Sequence, residues 1–115
     1  MTMEDIRRDD LVKVCDYADL ADREPIGLDV AGEEVMVVRV GDQVYAIGNI
    51  CSHAEAWLDS GYLHASTLEI ECPLHEGKFD LRSGKATALP CVDPVKGYEV
   101  VRDGGQIFLV INESE

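Results

Sequence analysis

Basic residues are scarce in this chain, because ten lysines and arginines stand against 23 aspartates and glutamates, for a net charge of −13. A surface of that sign repels phosphate backbones and anionic lipid headgroups, so neither nucleic acid nor a membrane is expected as a partner. Long hydrophobic runs are also missing, since no apolar stretch approaches the roughly 20 residues that cross a bilayer. Residues 1–10 carry charges where a signal peptide would be apolar, so we expect a flexible N-terminus and a cytoplasmic protein.

The glycines, the chain length and the cysteines exclude further classes of protein. The ten glycines include no Gly-x-Gly-x-x-Gly fingerprint, and this absence in a chain of 115 residues excludes a dinucleotide-binding reductase. A chain of this length accommodates one domain, residues 1–115. Its four cysteines are expected to be reduced or metal-bound rather than paired in disulfides, because the cytoplasm is reducing.

Short alternating apolar segments separated by turn residues run through the chain, which is typical of an all-β sandwich or barrel. Two pairs of segments flank 41–42 and 103–105, where glycine occurs with aspartate, and these predict two β-hairpins. Residues 17–20 and 54–58 each look helical for about one turn. The predicted strands are 11–14, 26–30, 34–40, 43–47, 67–71, 78–81, 97–102 and 106–111.

Two cysteine–histidine pairs carry the chemistry of the sequence. Cys51 is followed two residues later by His53, and Cys72 is followed three residues later by His75. With this spacing each pair can turn its two donors toward one point. Two thiolates and two imidazoles suit either a tetrahedral zinc ion or a mixed-ligand [2Fe–2S] cluster. In the cluster the cysteines would hold one iron and the histidines the other.

The segments 51–58 and 71–80, with Gly61 between them, resemble a Rieske ferredoxin, and the likeness extends over residues 11–111. The resemblance implies one [2Fe–2S] cluster bound by Cys51, His53, Cys72 and His75, with the cysteines on the buried iron. It also implies the Rieske fold, an antiparallel β-sandwich of three sheets. Two loops, about 49–61 and 72–84, would form a cluster-binding tip.

The same resemblance predicts a low reduction potential. High-potential members of the family link the two loops by a disulfide, and the matching positions here are Ala56 and Leu74. Those members also place a serine and a tyrosine hydroxyl near cluster sulfurs, where this chain has Gly77 and Phe79. Hydrogen bonds to sulfur stabilise the more negative, reduced state, so their absence predicts a potential near the low end of roughly −150 to +300 mV.

One histidine, His64, remains outside the four proposed ligands, so the chain cannot supply the two histidines and carboxylate of a mononuclear iron oxygenase. The resemblance implies an electron carrier rather than an enzyme, namely the ferredoxin component of a bacterial aromatic-ring-hydroxylating dioxygenase system. Its partners would be an NAD(P)H-dependent flavin reductase and a terminal oxygenase, and we expect a monomer. Carbazole, biphenyl and cumate systems are all compatible with the sequence.

Two alternatives from other classes stay open. The chain could be a small Rieske subunit fixed in an enzyme complex, such as assimilatory nitrite reductase, or a structural zinc-binding module.

Four residues outside the ligand set have expected roles. Cys15 and Cys91 match no ligand position and are expected to be buried apolar side chains. His64 is expected in a surface turn. Trp57 either packs beneath the first loop or is an exposed contact for a partner, since tryptophan is enriched at binding hot spots.

Overall fold

The computed structural model describes residues 11–51, 56–74, 77–89 and 91–111, and its strands in this part of the chain pair into three antiparallel sheets. One-turn 3₁₀ helices cover Tyr17–Asp19 and Leu58–Ser60. In chain order the strands are β1 (Leu11–Asp16), β2 (Ile26–Val30), β3 (Glu33–Val40), β4 (Gln43–Gly48), β5 (Tyr62–His64), β6 (Glu69–Glu71), β7 (Lys78–Asp80), β8 (Ala86–Ala88), β9 (Gly97–Tyr98), β10 (Val100–Asp103) and β11 (Gln106–Val110).

The three sheets have strand orders β1-β11-β10, β2-β3-β4-β9 and β5-β6-β7-β8. Strands that follow one another along the chain are mostly neighbours in a sheet, as short hairpin connections require. The predicted all-β class and the three-sheet antiparallel sandwich are confirmed.

Both predicted hairpins are present. Val40 pairs with Gln43 across the first turn, and Asp103 pairs with Gln106 across the second. The second turn is therefore two residues long, because Asp103 still belongs to β10. Gly104 and Gly105 form it with φ of 58° and 82°, a left-handed backbone that glycine adopts without strain.

Strand β3 lies in the middle layer and is buried on both faces. Successive side chains of a strand point to opposite faces, so Val35 and Val37 enter one core while Met36 and Val38 enter the other. The first core lies against the sheet that contains β1, β10 and β11. The second core reaches the small sheet β5-β6-β7-β8 and includes Cys51, Cys72 and Cys91.

Three local predictions were wrong. The predicted helix at 54–58 falls partly on residues 54 and 55, which lie outside the described residues, and the 3₁₀ helix begins only at Leu58. His64 lies in strand β5 rather than a turn, and its Nε2 is 2.8 Å from Glu71 Oε1. The predicted strand 67–71 begins at Glu69. These short segments have too little apolar alternation to be read from sequence.

The expected flexible N-terminus, residues 1–10, lies outside the described residues. Within the part that is described, no helix is long and apolar enough to cross a bilayer.

We expect Leu109→Ala to cost about 2–5 kcal/mol of folding free energy, because Leu109 is fully buried and its removal leaves a cavity. The urea midpoint should fall accordingly. Gln106→Ala, an exposed change on the same strand, is the matched control and should stay within about 0.5 kcal/mol. Equal midpoints for the two variants would show that this face of β11 does not support the core.

Candidate metal centre

The first predicted ligand, Cys51, lies at the entrance of a narrow loop that follows β4. Its backbone amide donates a hydrogen bond to the carbonyl of Ala56 over 2.9 Å. Ile50 and Trp57 pair as an isolated bridge just outside this bond. The loop is therefore a short hairpin closed at its base, and the residues between Cys51 and Ala56, including His53, lie outside the described residues.

The second loop is closed in the same way. Cys72 follows β6 directly, and its backbone amide donates to the carbonyl of Gly77 over 2.8 Å. In both loops the cysteine amide thus bonds to the carbonyl five residues later. His75 and Glu76 lie between these closing residues and outside the described residues.

Both cysteine thiols point into protein rather than solvent, with Cys51 4% and Cys72 1% exposed. They belong to one core cluster with Ile70 and Phe79. Two buried sulfur donors fit the chemistry of a thiolate-ligated iron or zinc, because both metals bind thiolate. Within the described ranges no three Cys, His, Asp or Glu side chains are grouped to hold a metal ion, and His53 and His75 lie outside those ranges.

Asn49 holds the base of the first loop, a role that the sequence reasoning missed. It is buried, and its side-chain Nδ2 donates to Asp59 Oδ1 over 3.0 Å. In return the backbone amide of Asp59 donates to Asn49 Oδ1 over 2.8 Å. This reciprocal pair ties the two ends of the loop together, and an asparagine near a strand end gives no specific sequence signal for it.

A close approach brings the end of the first loop against β6, the strand that Cys72 follows. A Cβ atom at Gly61 would lie 2.0 Å from the carbonyl oxygen of Glu71, a separation that no side chain could occupy. Glycine is required here because the backbone that enters β5 runs directly beside the end of β6, where Tyr62 pairs with Glu71.

A third cysteine joins the two predicted ones. Cys91 lies between β8 and β9, is 2% exposed, and places its Sγ 3.5 Å from Cys51 Sγ. Burial, reinforced by the neighbouring sulfurs of Cys51 and Cys72, raises the pKa of the Cys91 thiol to about 12. Its predicted burial is confirmed, but its contact with Cys51 was not foreseen. Cys15 is only partly buried in β1, so full burial was wrong there.

Gly77 leaves room for the third thiol. A Cβ atom built on Gly77 would lie 2.2 Å from Cys91 Sγ and 2.9 Å from Cys91 Cβ. A side chain at position 77 and the Cys91 thiol therefore cannot occupy this space together. A serine at position 77 would need Cys91 to move.

Exposed apolar side chains flank each of the three buried cysteines. Trp57 is 48% exposed, so of its two predicted roles the exposed one agrees with the structure. Leu74, two residues after Cys72, is 65% exposed. The set is Ile50 and Trp57 beside Cys51, Leu74 beside Cys72, and Leu89 and Val92 beside Cys91.

Comparison with protein families gives one match over most of the chain, since residues 10–99 match the Rieske [2Fe–2S] domain. A curated relative is the 3-phenylpropionate/cinnamic acid dioxygenase ferredoxin subunit of Escherichia coli (strain K12). It is 36% identical over 104 residues, which cover 90% of this chain and 96% of the relative.

Solved structures with a similar fold include ferredoxins of dioxygenase systems, in agreement with the sequence relatives. The ferredoxin of carbazole 1,9a-dioxygenase from Nocardioides aromaticivorans IC177 is 57% identical with a TM-score of 0.86, over 89% of this chain and 98% of that one. A ferredoxin solved in complex with the oxygenase of carbazole 1,9a-dioxygenase is 31% identical with a TM-score of 0.82, over 92% and 98% of the two chains. A chain described as the small subunit of a nitrite reductase from Mycobacterium tuberculosis is 23% identical, which shows the fold alone.

We expect Gly77→Ala to lower the iron and sulfide bound per chain after reconstitution, because the new Cβ would overlap Cys91 Sγ. Gly48→Ala is the matched control, since a Cβ at that position meets its nearest atoms at an ordinary 3.5 Å. Metal and sulfide analysis of both variants, prepared identically, makes the measurement. Equal loading would mean that the loop between β8 and β9, which carries Cys91, moves easily and does not restrict position 77.

Proposed function

Because this chain belongs to the Rieske [2Fe–2S] domain family, we propose that Cys51, His53, Cys72 and His75 bind its [2Fe–2S] cluster. The burial of Cys51 and Cys72 in two loops closed by the same backbone hydrogen bond is the observation that carries this ligand set. Mixed cysteine and histidine ligation distinguishes a Rieske centre from an all-cysteine ferredoxin. The bound cluster supplies one-electron chemistry, and the chain acts as an electron carrier.

The residues around the cysteines hold the two sulfurs in place and keep water from them. Asn49 and Asp59 fix the base of the first loop, and the Cys51 and Cys72 amides close the two loops. Phe79 and Ile70 pack in the same core as both thiols. Rigid, dry surroundings of this kind reduce the structural change that accompanies electron transfer, because no solvent has to reorganise around the sulfurs.

The relatives indicate the system in which the carrier works. They are ferredoxins of dioxygenases that act on carbazole or on 3-phenylpropionate and cinnamic acid, all aromatic compounds. The chain would accept electrons from an NAD(P)H-dependent flavin reductase and deliver them to a terminal oxygenase that hydroxylates an aromatic ring. The 57% identity to a carbazole-system ferredoxin makes an oxygenase of that class the first one to test.

The residues of the same two loops also support a low reduction potential for the bound cluster. Ala56 is buried while the Leu74 side chain is exposed, and neither can form the interloop disulfide of high-potential members. Gly77 and Phe79 carry no hydroxyl.

The role as a fixed nitrite reductase subunit has weaker support, because that likeness extends to the fold alone. A zinc module has weaker support because the family binds [2Fe–2S].

The ligand set is tested by replacing each proposed histidine. His53→Cys or His75→Cys should abolish assembly or lower the potential toward the value of about −400 mV for all-cysteine ferredoxins, because a thiolate adds negative charge. His64→Asn is the control, since His64 bonds to Glu71 on strand β6 and is not a proposed ligand. It should retain two irons and two sulfides per chain, measured by chemical analysis with EPR of the reduced protein.

Far less than two irons and two sulfides per chain in the reconstituted parent protein would refute the cluster assignment. A His64→Asn variant that loses its cluster while His53→Cys keeps an unchanged potential would refute this ligand set.

Docking should combine long-range attraction with apolar contact at the exposed side chains near the cysteines. A net charge of −13 should make association with a basic partner surface fast at low salt and slow once the Debye length shortens to about 8 Å. Trp57→Ala should weaken binding about tenfold or more at any salt, because an exposed tryptophan that becomes buried in an interface is a common hot spot.

Stopped-flow reduction of the oxygenase across a salt series measures both effects. Gln43→Ala is the control, because Gln43 is exposed at the opposite end of β4 from Cys51. Reduction rates that do not change with salt concentration would contradict the proposed electrostatic attraction between the two proteins. Equal rates for Trp57→Ala and Gln43→Ala would show that Trp57 lies outside the contact.

A further inference from the structure

Three loops, not two, meet at the buried sulfurs. The third, between β8 and β9, contributes Cys91, whose Sγ lies 3.5 Å from Cys51 Sγ in a buried sulfur–sulfur hydrogen bond. Either sulfur could be the donor in the free protein. Once Cys51 binds iron as a thiolate it has no proton, so within this pair only the Cys91 thiol can donate.

The backbone at Gly77 also constrains the position of Cys91. The missing side chain of Gly77 leaves the space that the Cys91 sulfur fills, since a Cβ there would lie 2.2 Å from Sγ. Cys91 therefore packs between Cys51 of the first loop and the returning backbone of the second. At 2% exposure it has no room to turn its thiol toward bulk water. The contact with Cys51 is thus set by packing on both sides.

We propose that Cys91 is a positioning residue that tunes the cluster, its S–H donating to the Cys51 sulfur and thereby raising the reduction potential. The proposal rests on the proposed function, because it requires Cys51 as an iron ligand. A donor to a ligand sulfur stabilises the reduced state more than the oxidised state, because the reduced cluster carries one more negative charge. Gly77 and Phe79 carry no side-chain donor, whereas the loop between β8 and β9 places the Cys91 thiol against the Cys51 sulfur.

Reduction potentials of Cys91 variants test this role. Cys91→Ala removes the donor and should lower the equilibrium constant for reduction at least threefold, or about 28 mV at 59 mV per tenfold change for one electron. Cys91→Ser keeps a donor and should hold the parent potential or exceed it. Cys15→Ala is the matched control, because Cys15 is a partly buried thiol in β1, and it should leave the potential unchanged.

An alanine variant with the parent potential, or a serine variant shifted as far as the alanine one, would overturn the proposal. Iron and sulfide analysis accompanies each titration. A fully loaded Cys91→Ala protein with an unchanged potential counts against Cys91 alone, whereas a parent protein without iron counts against the proposed function.

Infrared spectroscopy gives a second measurement that does not need a Cys91 variant to fold. In loaded Cys15→Ser protein three cysteines remain, and with Cys51 and Cys72 bound to iron only Cys91 still carries an S–H bond. Its stretching band should move to lower frequency when the cluster is reduced, because the acceptor sulfur becomes more negative. A band that is missing, or that has the same frequency in both oxidation states, would also overturn the proposal.

Discussion

The backbone hydrogen bonds donated by Cys51 and Cys72 are the interactions on which the metal centre depends. Each amide bonds to a carbonyl five residues later, so each loop returns at once to the strands from which it left. The geometry turns both thiols inward, where they are almost completely buried. In the sequence, His53 and His75 each fall between the two closing partners of a loop, outside the described residues.

Burial of the thiols makes the metal centre part of the core. The same apolar cluster that contains Met36 and Val38 of the central strand extends through Ile70 and Phe79 to the cysteines. We therefore expect metal binding and folding to be coupled, because both sulfur donors belong to the packed core. The core against β11 lies on the other face of β3, which separates the stability of that half from the chemistry of the metal centre.

Exposed apolar side chains lie around the loops that carry the cysteines, although the protein as a whole is acidic. The chain as a whole is strongly acidic, yet the side chains beside Cys51, Cys72 and Cys91 include exposed leucine, valine and tryptophan. Exposed apolar side chains on a strongly acidic protein suit an electron carrier that must approach a partner quickly and leave it again. Charge governs the approach through the association rate, while the small apolar contact limits the lifetime of the complex.

The sequence by itself determined the features that depend on neighbouring residues. Paired glycine and aspartate predicted the two hairpins, which are present, because this pattern acts within a few residues. The Cys-x-His and Cys-x-x-His spacings are equally local, and the ligand set that they predict stays a prediction. Only the tertiary structure decided the rest. Asn49 and Asp59 clamp the loop base across ten residues, and Cys91 reaches Cys51 across 40, after the sheets have packed. Such contacts give no periodic or local signal in the sequence, because the two partners are far apart along the chain and no recognisable motif links them.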